Sequence, residues 1–115
     1  MVKSVLGVHH QGLRDWAFQR ISAIILALYS IGLLAYLFFH PDLSYLEWRY
    51  LFSLTWMKII TIFFILSLMF HAWIGVWTVF TDYVKPYIIR SILNIIVLLS
   101  LGACFIWGIL ILWSV

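Results

Sequence analysis

Three long apolar runs dominate the chain, at residues 21–39, 59–80 and 91–115. None of them contains Lys, Arg, Asp or Glu. At a rise of about 1.5 Å per residue, the shortest run reaches about 28 Å, which is close to the thickness of the hydrocarbon core of a bilayer. The pattern therefore predicts three transmembrane helices, which together form a single membrane domain over residues 1–115.

The connections between the runs carry signals for the ends of helices. Pro41 disfavours helix at His40, so the first helix is expected to end there. Ser44-Tyr45-Leu46-Glu47 has the spacing of a capping box, and aromatic residues crowd positions 45–56, as they do at the headgroup level of a membrane. Pro86 suits the first turn of the third helix because it has no amide hydrogen to lose. We therefore predict an all-α membrane protein, with three transmembrane helices and a short interfacial helix between the first two.

The composition excludes a water-soluble domain. Hydrophobic residues make up 66% of the 115 residues, charged residues only 10%, and the mean hydropathy is +1.13. A soluble domain has about a quarter of its residues charged. The net charge of +3 comes from single Lys and Arg residues that flank the apolar runs, without the basic patch that nucleic acid would need. Cys104 has no disulfide partner and is interpreted as a packing residue.

The positions of Lys and Arg predict the orientation. The first connection contains two basic residues, Arg49 and Lys58. The amino-terminal segment and the second connection together contain five: Lys3, Arg14, Arg20, Lys85 and Arg90. Positive charge collects on the cytoplasmic side, so the amino terminus is predicted to be cytoplasmic and the carboxyl terminus periplasmic. The first run lacks a small-residue cleavage site and is expected to stay in the mature protein. The absence of an Arg- and Ser-rich presequence favours a bacterial inner membrane.

His71 is the most informative residue, because an ionisable group near the middle of a span costs several kcal/mol unless something pairs with it. The same helix face, at steps of three and four, continues through small and polar residues: Ser67, Gly75, Thr78 and Asp82. Gly75 would let a flat group or a second helix approach closely. Three interpretations of His71 stay open: a hydrogen bond to a neighbouring helix, a proton relay, or a ligand of a metal, foremost a haem iron.

A second haem ligand is not evident in this chain. The remaining histidines lie at or beyond the ends of the runs: His9, His10 and His40. If His71 ligates a six-coordinate haem, the other axial ligand is therefore expected from another chain. Arg14, close before the first run, has the ordinary interpretation of a topological charge and the functional one of a contact to a haem propionate.

The second connection brings an acid, a phenol and a base together at the membrane surface, in Asp82, Tyr83 and Lys85. In the ordinary interpretation the tyrosine anchors the aromatic belt and the charges are solvated. In the functional one, the phenol donates a hydrogen bond to a carbonyl of a ligand with a polar head and a lipid tail, such as a quinone.

The block His71-Ala72-Trp73-Ile74-Gly75-Val76-Trp77, followed by Thr81-Asp82-Tyr83-Val84-Lys85-Pro86, resembles a family signature. The chain is similar, over essentially its full length, to the smaller hydrophobic membrane anchor of bacterial succinate dehydrogenase, the D subunit of respiratory complex II. The resemblance implies a four-subunit enzyme. A flavoprotein subunit oxidises succinate, an iron-sulfur subunit conducts the electrons, and two membrane anchors reduce ubiquinone. No activity is expected of this chain alone.

The resemblance also implies roles for particular residues. His71 would be one axial ligand of haem b, with the second from the other anchor subunit. Tyr83 would hydrogen-bond a ubiquinone carbonyl, with Asp82 beside that site. Relatives often carry histidine where this chain has Arg14, a position associated with the haem propionates, and arginine can make the same contact.

Two alternatives remain at the level of sequence. The chain could be the anchor of a fumarate reductase, which runs the same chemistry in reverse, or a structural tether for a soluble partner, which would need neither His71 nor Tyr83.

Overall fold

Four helices account for nearly all of residues 11–115, the part of the chain that the computed structural model describes. They are α1 (Gln11–Phe39), α2 (Tyr45–Ser53), α3 (Thr55–Tyr83) and α4 (Tyr87–Trp113). The three long helices are long and apolar enough to cross a membrane, and the short α2 lies between the first two of them. The predicted fold class is confirmed.

The long helices begin before the apolar runs that predicted them, and only the third ends short of its run, two residues before residue 115. α1 begins ten residues before residue 21, α3 continues past both ends of residues 59–80, and α4 begins at Tyr87 and ends at Trp113. Lys and Arg end an uncharged run but are good helix formers, so they do not end a helix. With 29 residues each, α1 and α3 are about 43 Å long, so their ends project past a hydrocarbon core of about 30 Å.

Local sequence signals set the ends of the helices around the first connection. α1 ends at Phe39, two residues before Pro41, as predicted. The capping box at the start of α2 is also confirmed, since the Glu47 backbone N–H donates to Ser44 Oγ at 3.2 Å and the Ser44 backbone N–H donates to Glu47 Oε2 at 2.7 Å. The Ser44 backbone N–H, and then its hydroxyl, stabilise the carboxylate and hold the pKa of Glu47 below its ordinary value.

α3 lies in the middle of the molecule and packs against both α1 and α4. α1 and α3 are antiparallel, and a hydroxyl pair joins them near the middle, where Tyr29 Oη lies 2.8 Å from Thr61 Oγ1. The Tyr29 ring stacks on Phe64 with 4.3 Å between centroids. In a membrane such polar contacts and close packing hold helices together, because lipid is as apolar as the helix surfaces.

α4 packs closely against α3 at Gly108. A Cβ built at Gly108 would lie 3.1 Å from Ile65 Cδ1, which is tighter than ordinary contact. At the end of this interface Lys58 Nζ donates to the Val115 carbonyl at 3.3 Å and lies 5.4 Å from the Trp113 ring centroid. The absent side chain of Gly108 therefore allows the two helices to pack closely.

Very little of the chain is shielded by the chain itself. Among the described side chains none is less than 2% exposed, and only about a tenth or less of the most apolar stretch of each long helix is buried. Half of the six most buried residues carry hydroxyl groups: Ser22, Thr61 and Ser67. The large exposed apolar side chains therefore face lipid or other subunits.

Candidate functional site

His71 lies on α3 and faces α1, where its ring is half-buried. Its Nδ1 lies 3.2 Å from the Oγ atom of Ser22 on α1. Ser22 is only 5% exposed, and its hydroxyl also donates to the backbone carbonyl of Gln19 at 3.0 Å. The ionisable group inside the second span is therefore paired, as its cost in hydrocarbon requires.

A groove of about 580 Å³ runs between α1 and α3 beside the His71 ring. Most of its lining is apolar or small. The lining residues are Gly12, Asp15, Trp16, Gln19, Arg20, Ala23, His71, Ile74, Gly75, Trp77 and Thr78. The stripe predicted from the sequence therefore contributes three of its members, His71, Gly75 and Thr78, to one concave surface.

Gly75 lines the same groove, one turn of α3 after His71. A Cβ built there would lie 3.6 Å from Gln19 Nε2, which is ordinary van der Waals contact. The packing of this chain therefore does not require glycine at this position. The Gln19 side-chain oxygen Oε1 is buried and has no hydrogen-bond partner among the described residues. The missing side chain at Gly75 and the Gln19 oxygen, which has no partner among the described residues, suit a groove that receives a group from outside the chain.

Two arginines of α1 border this region. Arg20 lines the His71 groove, and its guanidinium carbon lies 5.5 Å from the Trp16 ring centroid. Arg14 lines an adjoining, smaller groove of about 200 Å³ together with Asp15, which borders both grooves. The sequence prediction named Arg14 for contact with an anionic group, whereas in the folded chain Arg20 borders the groove that contains His71.

Asp82 and Tyr83 end α3 on the same side of the molecule as the amino-terminal part of α1. Both are exposed, Tyr83 by 80%. Eleven residues separate Asp82 from His71, so at about 100° per residue both lie on nearly the same helix face, about 16 Å apart along the axis. Tyr83, the next residue, lies about 100° further around the helix axis than Asp82. A quinone at Tyr83 would therefore need walls from other subunits.

The described residues do not supply a complete set of metal ligands. No group of three or more His, Cys, Asp or Glu side chains that could hold a metal ion forms within residues 11–115. His40 lies at the far end of α1, where its Nδ1 is 2.9 Å from the Tyr36 carbonyl oxygen. His9 and His10 lie outside the described residues. Residues 11–115 therefore place no second histidine beside His71.

Sequence reasoning missed Ser22, Gln19 and Arg20 as residues of this site. Ser22 and Gln19 are polar, three positions apart, and stand at the start of an apolar run, so their spacing already placed them on one face of α1. Which residue of α3 they meet depends on the register of the two antiparallel helices. The sequence carries no direct signal for that register.

Comparison with known proteins identifies relatives of this chain. The sequence profile of the family described as the succinate dehydrogenase/fumarate reductase transmembrane subunit matches residues 3–106. A protein of Coxiella burnetii named succinate dehydrogenase hydrophobic membrane anchor subunit is 46% identical over 103 residues, which is 90% of this chain and 90% of that protein.

Proposed function

This chain belongs to the succinate dehydrogenase/fumarate reductase transmembrane-subunit family as a hydrophobic membrane anchor, and we propose that it helps to bind a b-type haem and ubiquinone in a succinate dehydrogenase. It is a multi-pass membrane protein with three spans. The proposed partners are a second membrane anchor, an iron-sulfur subunit and a flavoprotein subunit. The whole complex, and not this chain alone, would carry the activity.

The observation that carries the proposal is the environment of His71. Its Nδ1 is paired with Ser22 Oγ at 3.2 Å, and the ring borders a groove that Gly75 lines without a side chain. A histidine that ligates a metal through one ring nitrogen almost always makes a hydrogen bond through the other. The residues present therefore fit a haem ligated by His71 Nε2.

The chain offers further contacts for such a group. Arg20 on the same groove, and Arg14 on the adjoining one, are suited to the carboxylates of a haem through charge-assisted hydrogen bonds. When bound, a b-type haem supplies one-electron redox chemistry. The protein supplies binding, orientation and electrostatics, with the second axial ligand from the other anchor.

The proposed quinone contact is Tyr83, which is exposed at the end of α3. Its hydroxyl would donate a hydrogen bond to a carbonyl oxygen of ubiquinone and hold the head within reach of the iron-sulfur subunit. Reduction to the quinol takes two electrons and two protons. Asp82, the preceding residue, is exposed and would help to steer protons from water to that site.

The name of the Coxiella burnetii relative favours succinate oxidation over fumarate reduction as the direction. The family description covers both. The structural-tether alternative is compatible with the Ser22–His71 hydrogen bond, but it gives no role to the groove beside His71. We therefore adopt the succinate dehydrogenase anchor as the proposed function.

The test is the reduced-minus-oxidised spectrum of the purified complex that carries His71→Ala. The low-spin b-type band should disappear or change, because one axial ligand is lost. His40→Ala is the matched control, since His40 is exposed at the other end of α1. An unchanged spectrum at full haem occupancy in His71→Ala would rule out ligation by this residue.

The proposed location is the inner membrane of a bacterium, with the amino terminus in the cytoplasm and the carboxyl terminus in the periplasm. The distribution of Lys and Arg supports this orientation. Reporter fusions after Lys85 and after Val115 should report opposite sides. The same side for both would contradict the orientation.

A further inference from the structure

A series of two hydrogen bonds connects the backbone of α1 to the His71 ring. Ser22 Oγ lies 3.0 Å from the Gln19 carbonyl oxygen and 3.2 Å from His71 Nδ1. Ser22 is one of the most buried polar residues of the described chain, at 5% exposure. The hydroxyl is therefore held in place from one side and contacts the imidazole from the other.

The direction of the two hydrogen bonds follows from the protons available. A serine hydroxyl has one proton, and donation to the carbonyl three residues earlier is a common arrangement for serine in membrane helices. The lone pairs of Ser22 then accept the proton of His71 Nδ1. In the reverse arrangement Nε2 would carry the proton, and residues 12–115 give that N–H no acceptor in a largely apolar groove. The first arrangement satisfies every proton.

We infer that Ser22 is a positioning residue for His71: its hydroxyl accepts the Nδ1 proton, fixes the ring orientation, and leaves the lone pair of Nε2 free to ligate iron. The inference rests on the proposed haem ligation by His71 and adds a role for a second residue of this chain. Ser22 is not expected to touch the haem or the quinone.

The hydrogen bond between His71 Nδ1 and Ser22 should also change the midpoint potential of the haem iron. An acceptor on the Nδ1 proton gives the imidazole more anionic character and makes Nε2 a stronger electron donor. A stronger donor favours ferric over ferrous iron, which lowers the midpoint potential. Loss of the acceptor should therefore raise the midpoint potential and loosen the haem.

The experiment compares three substitutions of Ser22 in the assembled complex. Ser22→Ala removes the acceptor, Ser22→Thr keeps a hydroxyl at the same position, and Ser22→Cys keeps the shape with a weaker acceptor. Ser100→Ala is the matched control, because the Ser100 hydroxyl bonds only its own helix at Ile96 and is exposed. The readouts are the haem midpoint potential, from a redox titration, and haem retention against apomyoglobin as a competing acceptor.

Ser22→Thr and Ser100→Ala should match the unmodified complex. Ser22→Ala should keep a low-spin haem but show a raised potential and about tenfold or more weaker haem retention, with Ser22→Cys between. If Ser22→Ala fails to assemble, the comparison of Cys with Thr carries the same test.

The inference would be overturned by an Ala variant with unchanged potential and retention, or by a Thr variant shifted as far as Ala. It would likewise be overturned if Cys matched Thr where Ala does not assemble. His71→Ala separates the two proposals. If that variant keeps its low-spin band, ligation by His71 fails. If it loses the band while the Ser22 variants change nothing, only the role of Ser22 fails.

Discussion

Gly75→Ala tests whether the groove beside His71 accepts a group from outside the chain. The added Cβ would lie 3.6 Å from Gln19 Nε2, so the chain itself has room for it. Replacing glycine by alanine inside a helix also stabilises the helix, by about 1 kcal/mol at most. The substitution should therefore leave the folding and membrane insertion of this subunit unchanged or slightly improved.

The expected loss appears only in haem binding. A flat macrocycle held on His71 would have to pass close to the helix surface at Gly75, one turn away, and the methyl group of an alanine there would hinder that approach. Overpacking of this kind costs typically about 1–3 kcal/mol, which corresponds to a roughly fivefold to more than hundredfold weaker haem affinity. The assay is the haem-to-flavin ratio of the purified complex, together with the intensity of the low-spin haem band.

Two other glycines provide matched controls. A Cβ added to Gly102 on α4 would meet no atom within 4 Å, so Gly102→Ala should change neither assembly nor haem content. At Gly108 the Cβ would lie 3.1 Å from Ile65 Cδ1, so Gly108→Ala should strain the α3–α4 contact without affecting the haem spectrum. A fully haem-loaded Gly75→Ala complex with an unchanged spectrum would refute the close approach. Failure of Gly75→Ala to insert would show that the chain itself needs glycine at this position.

Three further predictions concern other contacts. Tyr83→Phe removes the proposed hydrogen bond to the quinone carbonyl, which is worth about 0.5–1.5 kcal/mol, so quinone reduction should weaken severalfold. Succinate oxidation with an artificial acceptor should stay normal, and equal loss in both assays would indicate failed assembly. Tyr29→Phe should cost about 0.6 kcal/mol of subunit stability in detergent unfolding, because only the bond to Thr61 is lost, and a cost above about 2 kcal/mol would contradict this. Because the pKa of Glu47 is lowered in the folded state, its stabilisation of α2 is present above pH of about 4.5 and is lost as the pH falls through the lowered pKa. In the unmodified chain, the protection of the α2 amides from hydrogen exchange should fall as the pH falls through that range. Glu47→Gln should abolish this fall in protection.

The candidate site was only partly predictable from the sequence. His71 stood out because an ionisable group in an apolar run needs a partner, and Gly75 because it lies one turn away on the same face. The partner itself, Ser22, was not identified, since it lies 49 residues away on another helix. Arg20 borders the His71 groove and Arg14 the adjoining one, and the rotation of α1 against α3 decides which groove each side chain lines.

The sequence by itself determined the three spans, the end of α1 before Pro41 and the capping box at Ser44. These features follow from local physics: a bilayer forces each span to satisfy its own backbone hydrogen bonds, and caps and prolines act within a few residues. The tertiary structure decided the register of α1 against α3, and with it the pairing of His71 with Ser22. Apolar helix faces are nearly interchangeable in lipid, so that register is set by a few polar contacts and small residues at the interface, which become recognisable only when both helices are in place.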